Sequence, residues 1–348
     1  MRTGRPNIKD VAREAGVGTT TVTRVLNGDR NVTEATRALV ESAIQGTGYQ
    51  VNSLARGLKQ QRSFVIGHLL LSAVTNPFYV TVASGVEAYA RTAGYTALTL
   101  NFERAPEAER RGIETFLNWR ADALIFTTPL VAANVEFALA RGLPVMQVER
   151  PKTAAAPGIK VNNTKGAQAA MRHLVDLGHR EIAYIGGYPV TDQIGYVEQE
   201  RVGAYREAMA AIGGAPREFF LAGPQYLTDA EHSLAPGYQA TKALLAGPRR
   251  PTAIQCTNDI IAAGALQALR EAGLDVPGDI SIIGFDDTLG AYLAPQLTTV
   301  RLPAYELGQT AARLLIDGLN GVTSSLPSHT ISLDAELVVR RSTGPVRH

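Results

Sequence analysis

The chain has 348 residues, of which 45% are hydrophobic and 19% charged, and its formal net charge is +2. This length predicts two or three domains, and without a run of 18 apolar residues the sequence predicts no membrane span. We expect a cytoplasmic protein, because no export leader is present and there is only one cysteine. That residue, Cys256, lies in the apolar stretch AIQC, which predicts a buried and unreactive thiol.

Residues 7 to 47 predict three short helices. Asn7 is a suitable N-cap for the first helix, with Asp10 in its first turn, and Thr33 is a suitable N-cap for the third. Apolar residues at helical spacing predict a shared core formed by Val11, Ala12, Ala15, Val22, Val25, Leu26, Leu39, Val40, Ala43 and Ile44. A tight turn at residues 16–18 joins the first two helices, as is typical of a helix-turn-helix, which places its second helix in the DNA major groove.

The outer face of the second predicted helix carries four polar residues: Thr19, Thr20, Thr23 and Arg24. Threonine can contact base edges or phosphates, and arginine can donate two hydrogen bonds to guanine. Residues 1 to 64 contain 10 Lys and Arg against 5 Asp and Glu, and this net charge of +5 favours contact with phosphates. The alternative is an ordinary three-helix bundle with solvated threonines, but the short helices, the turn and the charge favour DNA binding.

From residue 64 onwards, buried strands alternate with amphipathic helices. Strands are predicted at 64–71, 95–100, 122–126, 144–148, 159–162, 181–187, 218–222, 252–257, 279–285 and 333–342. Helices are predicted at about 78–93, 106–119, 131–141, 164–177, 199–212, 237–246 and 259–272. This alternation predicts parallel sheets covered on both faces, and the recurrence of a strand followed by a helix ending at glycine favours two sheets over one. A cleft between them, at the carboxyl ends of the strands, is the expected ligand site.

Motifs of common enzymes are missing from the sequence. It contains no Walker loop, GxGxxG turn, GxSxG elbow or metal-ligand spacing of Cys and His, and its six histidines are scattered. We therefore predict a protein that is not an enzyme and uses neither a cofactor nor a metal. A transport-associated sugar-binding protein would account for the body but not for the basic head.

Longer motifs carry a family resemblance over essentially the whole chain. They are IKDVAREAGV, TVTRVLN, NSLARGL, TNPFYVTVASGVEAYARTAGY, LVDLGHREIAYIGG, ERVGAY, RPTAIQCTND, PGDISIIGFDDT and PQLTTVRLP. With these motifs the chain resembles the lac repressor family (LacI/GalR) of bacterial transcription regulators. The resemblance implies an α/β protein with a helix-turn-helix head at 1–51, a hinge helix at 52–62, and an effector-binding and dimerisation body at 63–348 similar to periplasmic sugar-binding proteins.

The resemblance also implies how the body is divided. Two doubly wound α/β subdomains are expected, linked by three crossover strands around a hinged cleft. The N-subdomain is expected at 63–161 and 294–320, and the C-subdomain at 162–293 and 321–342. No heptad-leucine tail follows, so we expect a homodimer whose two heads match the half-sites of a near-palindromic operator.

For the head, the resemblance places Thr19, Thr20 and Arg24 where the family's recognition helix reads bases; Asn7 and Thr23 belong to the same predicted DNA-contacting set. Gly18 stands where the family usually has a helix-capping serine. The segment from Asn52 to Leu58 matches the hinge helix, in which Leu58, with Ala55 beside it, is expected to wedge into the minor groove and kink the duplex. Packing of Leu58 against the body or the partner's hinge is the alternative.

For the body, the family's ligand cleft corresponds to these positions: Asn76, Phe78, Glu149, Arg201, Asn258, Asp259 and Asp286. Arginine and aspartate can each bind two adjacent hydroxyls, and an aromatic ring can cover a sugar, so the set favours a polyhydroxylated ligand. Three alternatives stay open. They are a salt bridge between Arg201 and Asp286 without ligand, helix capping by Asn258 and Asp259, and core packing by Phe78.

These features predict a ligand-responsive transcriptional repressor of carbohydrate uptake or catabolism genes, released from its double-stranded DNA operator by a sugar or sugar derivative. The alternative is a co-repressor design in which a ligand or partner strengthens DNA binding, because the two designs differ only in the conformer that the ligand prefers. No membrane partner is expected. Extended segments before Arg201 and at 226–238 flank the cleft and are expected to shape its specificity.

Overall fold

The computed structural model describes residues 6–26, 29, 31–49, 62–71, 76–102, 105–186, 196–220, 234–322, 327 and 329–347. The chain forms two compact units, residues 1–63 and residues 64–348. The predicted hinge residues Asn52, Ala55 and Leu58 lie outside the described residues.

The described part of the first unit contains three helices, α1 (Ile8–Glu14), α2 (Thr19–Leu26) and α3 (Glu34–Thr47). Asn7 and Thr33 are the N-caps of α1 and α3, as predicted, and Asn7 forms a reciprocal capping box with Asp10. Each helix contributes one valine without exposed surface to a shared core: Val11, Val22 and Val40. The core of a helix-turn-helix is therefore formed by residues that helical spacing predicted, with Leu39 as the exception.

The core prediction for Leu39 is wrong. Leu39 is 57% exposed, whereas Val40 and Ala43 are buried and Ile44 is partly buried against them. Consecutive residues of an α-helix point about 100° apart, so a stripe centred on Val40, Ala43 and Ile44 leaves Leu39 at its edge.

The first sheet of the second unit consists of β1 (Val65–Leu71), β2 (Thr96–Phe102), β3 (Ala123–Thr127), β4 (Val145–Val148), β5 (Gly158–Asn162) and β11 (Ile331–Asp334). Its strand order is β11-β5-β4-β3-β1-β2, and its described pairings are parallel. The helices packed against it are α4 (Pro77–Thr92), α5 (Pro106–Asn118), α6 (Ala132–Ala140) and α11 (Ala304–Leu319).

The second sheet consists of β6 (Ile182–Ile185), β7 (Arg217–Phe219), β8 (Ala253–Cys256), β9 (Ser281–Asp286), β10 (Thr298–Arg301) and β12 (Glu336–Val338). Its strand order is β12-β10-β9-β8-β6-β7, in which β12 is antiparallel to β10 and the other pairings are parallel. Its helices are α7 (Asn163–Asp176), α8 (Tyr196–Ala211), α9 (Ala235–Leu245) and α10 (Asp259–Glu271). Among the described residues, no helix is long and apolar enough to cross a membrane.

The two-sheet α/β architecture confirms the predicted fold class, but the sequence pattern did not predict β10 and α11. In β10, Thr298 and Thr299 are fully buried, so the strand lacks the apolar run that marks its neighbours. Their hydroxyls are satisfied inside the sheet: Thr299 Oγ1 donates to Asp259 at 2.6 Å, and Thr298 Oγ1 accepts from the Arg340 amide at 2.9 Å. A strand whose buried residues are polar cannot be predicted from an apolar pattern, because its burial depends on hydrogen-bond partners far away in the sequence.

The chain crosses between the two sheets three times, after β5, after β10 and between β11 and β12. Two segments differ from the predicted division of the body. β10 lies within 294–320, predicted for the first subdomain, but it pairs with β9; β11 lies within 321–342, predicted for the second, but it pairs with β5. The single strand predicted at 333–342 is likewise divided, because β11 belongs to the first sheet and β12 to the second. Periodicity identifies a strand, but it does not identify the strand's partner.

Two glycines allow α11, which follows the second crossing, to pack closely on α4. A Cβ on Gly85 would overlap the carbonyl oxygen of Tyr305, and a Cβ on Gly308 would overlap that of Val82. Backbone contact therefore fixes α11 against the first sheet. Cys256, in β8, is fully buried as predicted, and burial raises the pKa of its thiol.

Candidate nucleic-acid interface and ligand cleft

The outward face of α2 carries the residues predicted to contact DNA. Thr19, Thr20 and Arg24 are exposed, while Val22 and Val25 on the opposite face are buried. The Arg24 side chain is 62% exposed and its Nε lies 3.8 Å from Asp29 Oδ2, so the guanidinium is held only loosely. The helix thus presents hydroxyl, methyl and guanidinium groups to solvent on the face that a helix-turn-helix turns towards bases.

Two other residues of the predicted DNA-contacting set have roles within the head. The Thr23 hydroxyl donates to the Thr19 carbonyl oxygen at 2.9 Å, and Thr23 is only partly exposed. The Asn7 side-chain oxygen accepts a hydrogen bond from the Lys9 amide at 2.9 Å as part of the α1 cap. Both interactions order the head whether or not DNA is present.

Arg201, on α8, contacts residues at the carboxyl ends of strands from both sheets, where the ligand cleft was predicted. Its Nε and Nη2 donate to Asn163 Oδ1 at 3.0 and 2.9 Å, and its Nη1 donates to the Thr257 carbonyl oxygen at 2.6 Å. The guanidinium carbon lies 3.8 Å from the centre of the Phe285 ring. The side chain is almost fully buried, so a cation–π contact and three hydrogen bonds fix it in one orientation.

Asp286, the last residue of β9, contacts Arg201 through one carboxylate oxygen and Asn76, beside the first sheet, through the other. Its Oδ1 lies 3.5 Å from Arg201 Nη2, and Asn76 Nδ2 donates to its Oδ2 at 3.4 Å. Asn76 precedes α4, so this second contact crosses the cleft. Burial raises the pKa of Asp286 to about 7, an effect that the nearby Arg201 partly opposes. Its φ of 102° is strained for a residue with a side chain, which is typical of functional sites.

Glu149, which directly follows β4, is the buried acid on the first subdomain's side. It is 4% exposed, and its backbone is left-handed with a φ of 71°. Burial raises the pKa of its carboxyl, while Arg201, Arg150 and a hydrogen bond with the Asn163 side chain act in the opposite direction. Its Oε2 has no hydrogen-bond partner among the described residues.

The three remaining predicted ligand residues are engaged elsewhere in the protein. Asn258 caps α10, accepting from the Ile261 amide at 2.8 Å. Asp259 accepts from Thr299 Oγ1 through one carboxylate oxygen and from two backbone amides through the other, and burial raises its pKa to about 6. Phe78 is buried in the core, edge to face with Tyr79 at a centroid distance of 5.3 Å. Of the open alternatives, helix capping describes the contact of Asn258 and core packing that of Phe78, whereas Asp259 bonds Thr299 and two loop amides and is not a helix cap.

Sequence reasoning did not include Asn163, which the structure places at the centre of the polar network. Asn163 opens α7 directly after β5, and it bonds Arg201 while approaching Glu149. A signal was present in the sequence, because the polar residue Asn162 ends the predicted strand and a second, Asn163, follows it directly. The cleft therefore holds a coupled set of Glu149, Asn163, Arg201 and Asp286.

The raised pKa of Asp286 predicts a pH dependence of stability. Because the carboxyl binds its proton more tightly in the folded body than in the unfolded chain, where its pKa is about 3.9, its contribution stabilises the fold at low pH and is lost as pH rises to about 7. The free energy of unfolding of the unchanged protein, minus that of Asp286→Asn, should fall between about pH 4 and pH 7 and level off above it. Urea titrations across this range measure it, and a constant difference would contradict the assignment.

Two protein-family models match the chain. Residues 7–52 match the bacterial regulatory proteins of the lacI family, and residues 171–343 match the periplasmic binding protein-like domain. The transcriptional repressor PurR of Photobacterium profundum is 33% identical over 339 residues, covering 96% of this chain and 98% of that protein. The ribose operon repressor of Escherichia coli (strain K12) is 36% identical over 314 residues, covering 89% of this chain and 92% of that protein.

Solved structures of two regulators resemble the whole chain. The lac repressor dimer bound to operator and the anti-inducer ONPF gives a TM-score of 0.78 at 27% identity, covering 98% of this chain and 100% of that one. The complex of the regulator CelR with cellobiose gives a TM-score of 0.68 at 27% identity, covering 97% and 100%. A helix-turn-helix head and a two-sheet body with a polar cleft define a transcription regulator with a periplasmic-binding-protein-like body. The chain belongs to the lacI family of bacterial regulatory proteins.

Proposed function

We propose that this protein is a transcriptional repressor that binds a near-palindromic operator as a homodimer and is released when a sugar-like effector occupies its cleft. The exposed polar face of α2 on a basic head is the observation that carries the proposal. Thr19, Thr20 and Arg24 offer the donors, acceptors and methyl groups that read base edges. One such helix per chain supports a dimer, because two heads are needed for two half-sites. The lac repressor, with which the chain shares its fold, is a dimer on its operator.

The effector half of the proposal rests on the polar network of the cleft. Glu149, Arg201 and Asp286 are buried together where the carboxyl ends of strands from both sheets meet. A ligand that binds them contacts both subdomains and can favour a closed arrangement of the body. A related lacI-family regulator from Enterococcus faecium has been solved with bound ribose, and CelR with cellobiose. We assign no catalytic role to this chain and place its action in the cytoplasm, where its DNA target lies.

The decisive experiment begins with selection of a binding site from random duplex DNA, followed by titration of the selected site at increasing salt. We expect a site with two symmetric half-sites. If the dimer contacts 6 to 10 phosphates, its affinity should fall by about 10³- to 10⁵-fold between about 50 and 200 mM salt. An affinity that does not change with salt, or full affinity for one half-site, would contradict the proposal.

Arg24→Ala is the matching variant. It should reduce discrimination between the selected site and random DNA, because it removes a base-reading side chain. Arg91→Ala is its control, since Arg91 is a 74% exposed arginine on α4 of the body and its loss changes the net charge equally.

The effect of the ligand on operator affinity separates the induced repressor from the co-repressor design. An effector that lowers operator affinity indicates induction, and one that raises it indicates co-repression.

A further inference from the structure

At the carboxyl end of β3 lies a residue with a strained backbone and a buried hydroxyl, and it has no role in the proposed function so far. Thr128 directly follows β3, is 2% exposed and has a φ of 59°. A positive φ is unfavourable for a β-branched residue and marks a position held by its surroundings. Its Oγ1 is buried and has no hydrogen-bond partner among the described residues. A buried hydroxyl without a partner is costly, and in a native structure it requires an explanation.

The topology places Thr128 between two residues of the cleft. β3 lies between β4, which ends just before Glu149, and β1, which leads towards Asn76. The Thr128 amide donates to the carbonyl oxygen of Val148 at 2.9 Å, which ties it directly to the residue before Glu149. Both Thr128 and Glu149 have a left-handed backbone, and each has a buried oxygen that finds no hydrogen-bond partner in the described part of the chain. Within that part, two adjacent strand ends thus carry one such polar atom each.

Arg201, in contrast, is largely engaged by the protein. Three of its five N–H groups donate to Asn163 and the Thr257 carbonyl, and Asp286 Oδ1 forms an ion pair with Nη2 at 3.5 Å. A carboxylate or phosphate ligand binds arginine best through two parallel hydrogen bonds, and that pair of donors is already engaged. The unsatisfied atoms, Glu149 Oε2 and Thr128 Oγ1, are a carboxylate acceptor and a hydroxyl. A ligand hydroxyl both donates and accepts, so the hydroxyls along one edge of a ligand can bond both atoms.

We propose that Thr128 and Glu149 form a paired subsite that binds the hydroxyl edge of an uncharged polyol, with Thr128 as a ligand-contacting residue. One ligand hydroxyl donates to Glu149, and the Thr128 hydroxyl bonds the same or the neighbouring hydroxyl of the ligand. A phosphate or carboxylate at this edge would face a buried carboxyl and is disfavoured. This inference rests on the proposed ligand-binding function of the cleft.

The test begins with a thermal-shift screen of the full-length protein at about pH 8, above the pKa of Asp286. The probes are neutral mono- and disaccharides that include ribose and cellobiose, each beside its phosphorylated or uronic-acid counterpart. We expect at least one neutral sugar to stabilise the protein and its anionic counterpart to bind at least tenfold more weakly. Tighter binding of the anion, or no stabilisation by any neutral sugar, overturns the inference.

The sugar that stabilises best is then titrated calorimetrically against Thr128→Val, which keeps the β-branched shape and removes only the hydroxyl. We expect about a 3- to 10-fold loss of affinity, while the unliganded variant is at least as stable as the unchanged protein because an unsatisfied group has been removed. Glu149→Gln should lose about 10- to 100-fold, as expected for a hydrogen bond to a charged group. Thr115→Val is the control, since the Thr115 hydroxyl bonds within the exposed surface of α5.

Unchanged affinity in Thr128→Val overturns the subsite, and so does a loss of stability that accounts for the whole effect. Operator affinity is measured on the same preparations. If the unchanged protein binds the selected operator while the sugar results fail, the subsite is wrong and the repressor function stands. If it binds no operator, the proposed function itself fails.

Discussion

Replacing Asp286 with asparagine is expected to yield a protein that still binds its operator but no longer responds to its effector. The substitution preserves the shape of the side chain and removes its charge, while the helix-turn-helix head is unchanged. A hydrogen bond between a ligand and a buried charged group contributes about 1.5–3 kcal/mol, so effector affinity should fall about 10- to 100-fold. Calorimetric titration of the effector, beside operator binding measured with and without it, gives both quantities.

Arg201→Ala should lose effector binding as well, but with a second consequence. Arg201 is buried, bonds Asn163 and the Thr257 carbonyl, and stacks on Phe285, so its removal also leaves polar groups of the protein unsatisfied. Truncating one member of a buried ion pair costs about 3–5 kcal/mol of folding stability, and a loss in this range is expected here. Asp286→Asn is therefore the cleaner test. Unchanged effector affinity in both variants would refute the assignment of the site.

Asp287 follows Asp286 in the chain, but its replacement is expected to affect folding and not the effector response. We expect a large loss of folding stability. Asp287 Oδ2 accepts from Arg301 Nε at 2.8 Å and from Arg340 Nη2 at 3.0 Å, and its Oδ1 lies 2.7 Å from Arg340 Nη1. Its side chain is buried, and Arg301 ends β10 at the second crossing between the sheets. Asp287→Ala should therefore lower the free energy of unfolding by about 3–5 kcal/mol, as measured by urea denaturation.

Asp334→Ala is the matched control for Asp287→Ala. Asp334 pairs with Lys165 near the third crossing, but both side chains are 59% exposed. Exposed ion pairs contribute between about 0 and 1 kcal/mol, so this variant should be nearly as stable as the unchanged protein. Equal losses in the two variants would show that burial of Asp287 is not what makes its contacts valuable.

The sequence by itself determined the three helices of the head. Asn7, Thr33 and the valines of the core are local signals, since a cap or an apolar stripe depends on residues only three or four positions apart. The same locality explains why the strands and helices up to residue 286 were predicted close to their observed bounds. Local spacing also placed Thr19, Thr20 and Arg24 on the exposed face of α2, opposite Val22 and Val25.

Resemblance to family motifs also predicted Glu149, Arg201 and Asp286 as ligand residues, but it left their contacts open. Only the tertiary structure shows that Asn163 and the Thr257 carbonyl hold Arg201, that Asp259 is engaged with Thr299, and that Asp286 and Asp287 point to different partners. It also decided that β10 pairs in the second sheet and β11 in the first. These outcomes join residues far apart in the chain. A strand pairs with a strand edge that is still open, and a buried donor bonds an acceptor that is still unpaired, wherever in the chain these lie. Local periodicity does not contain that information.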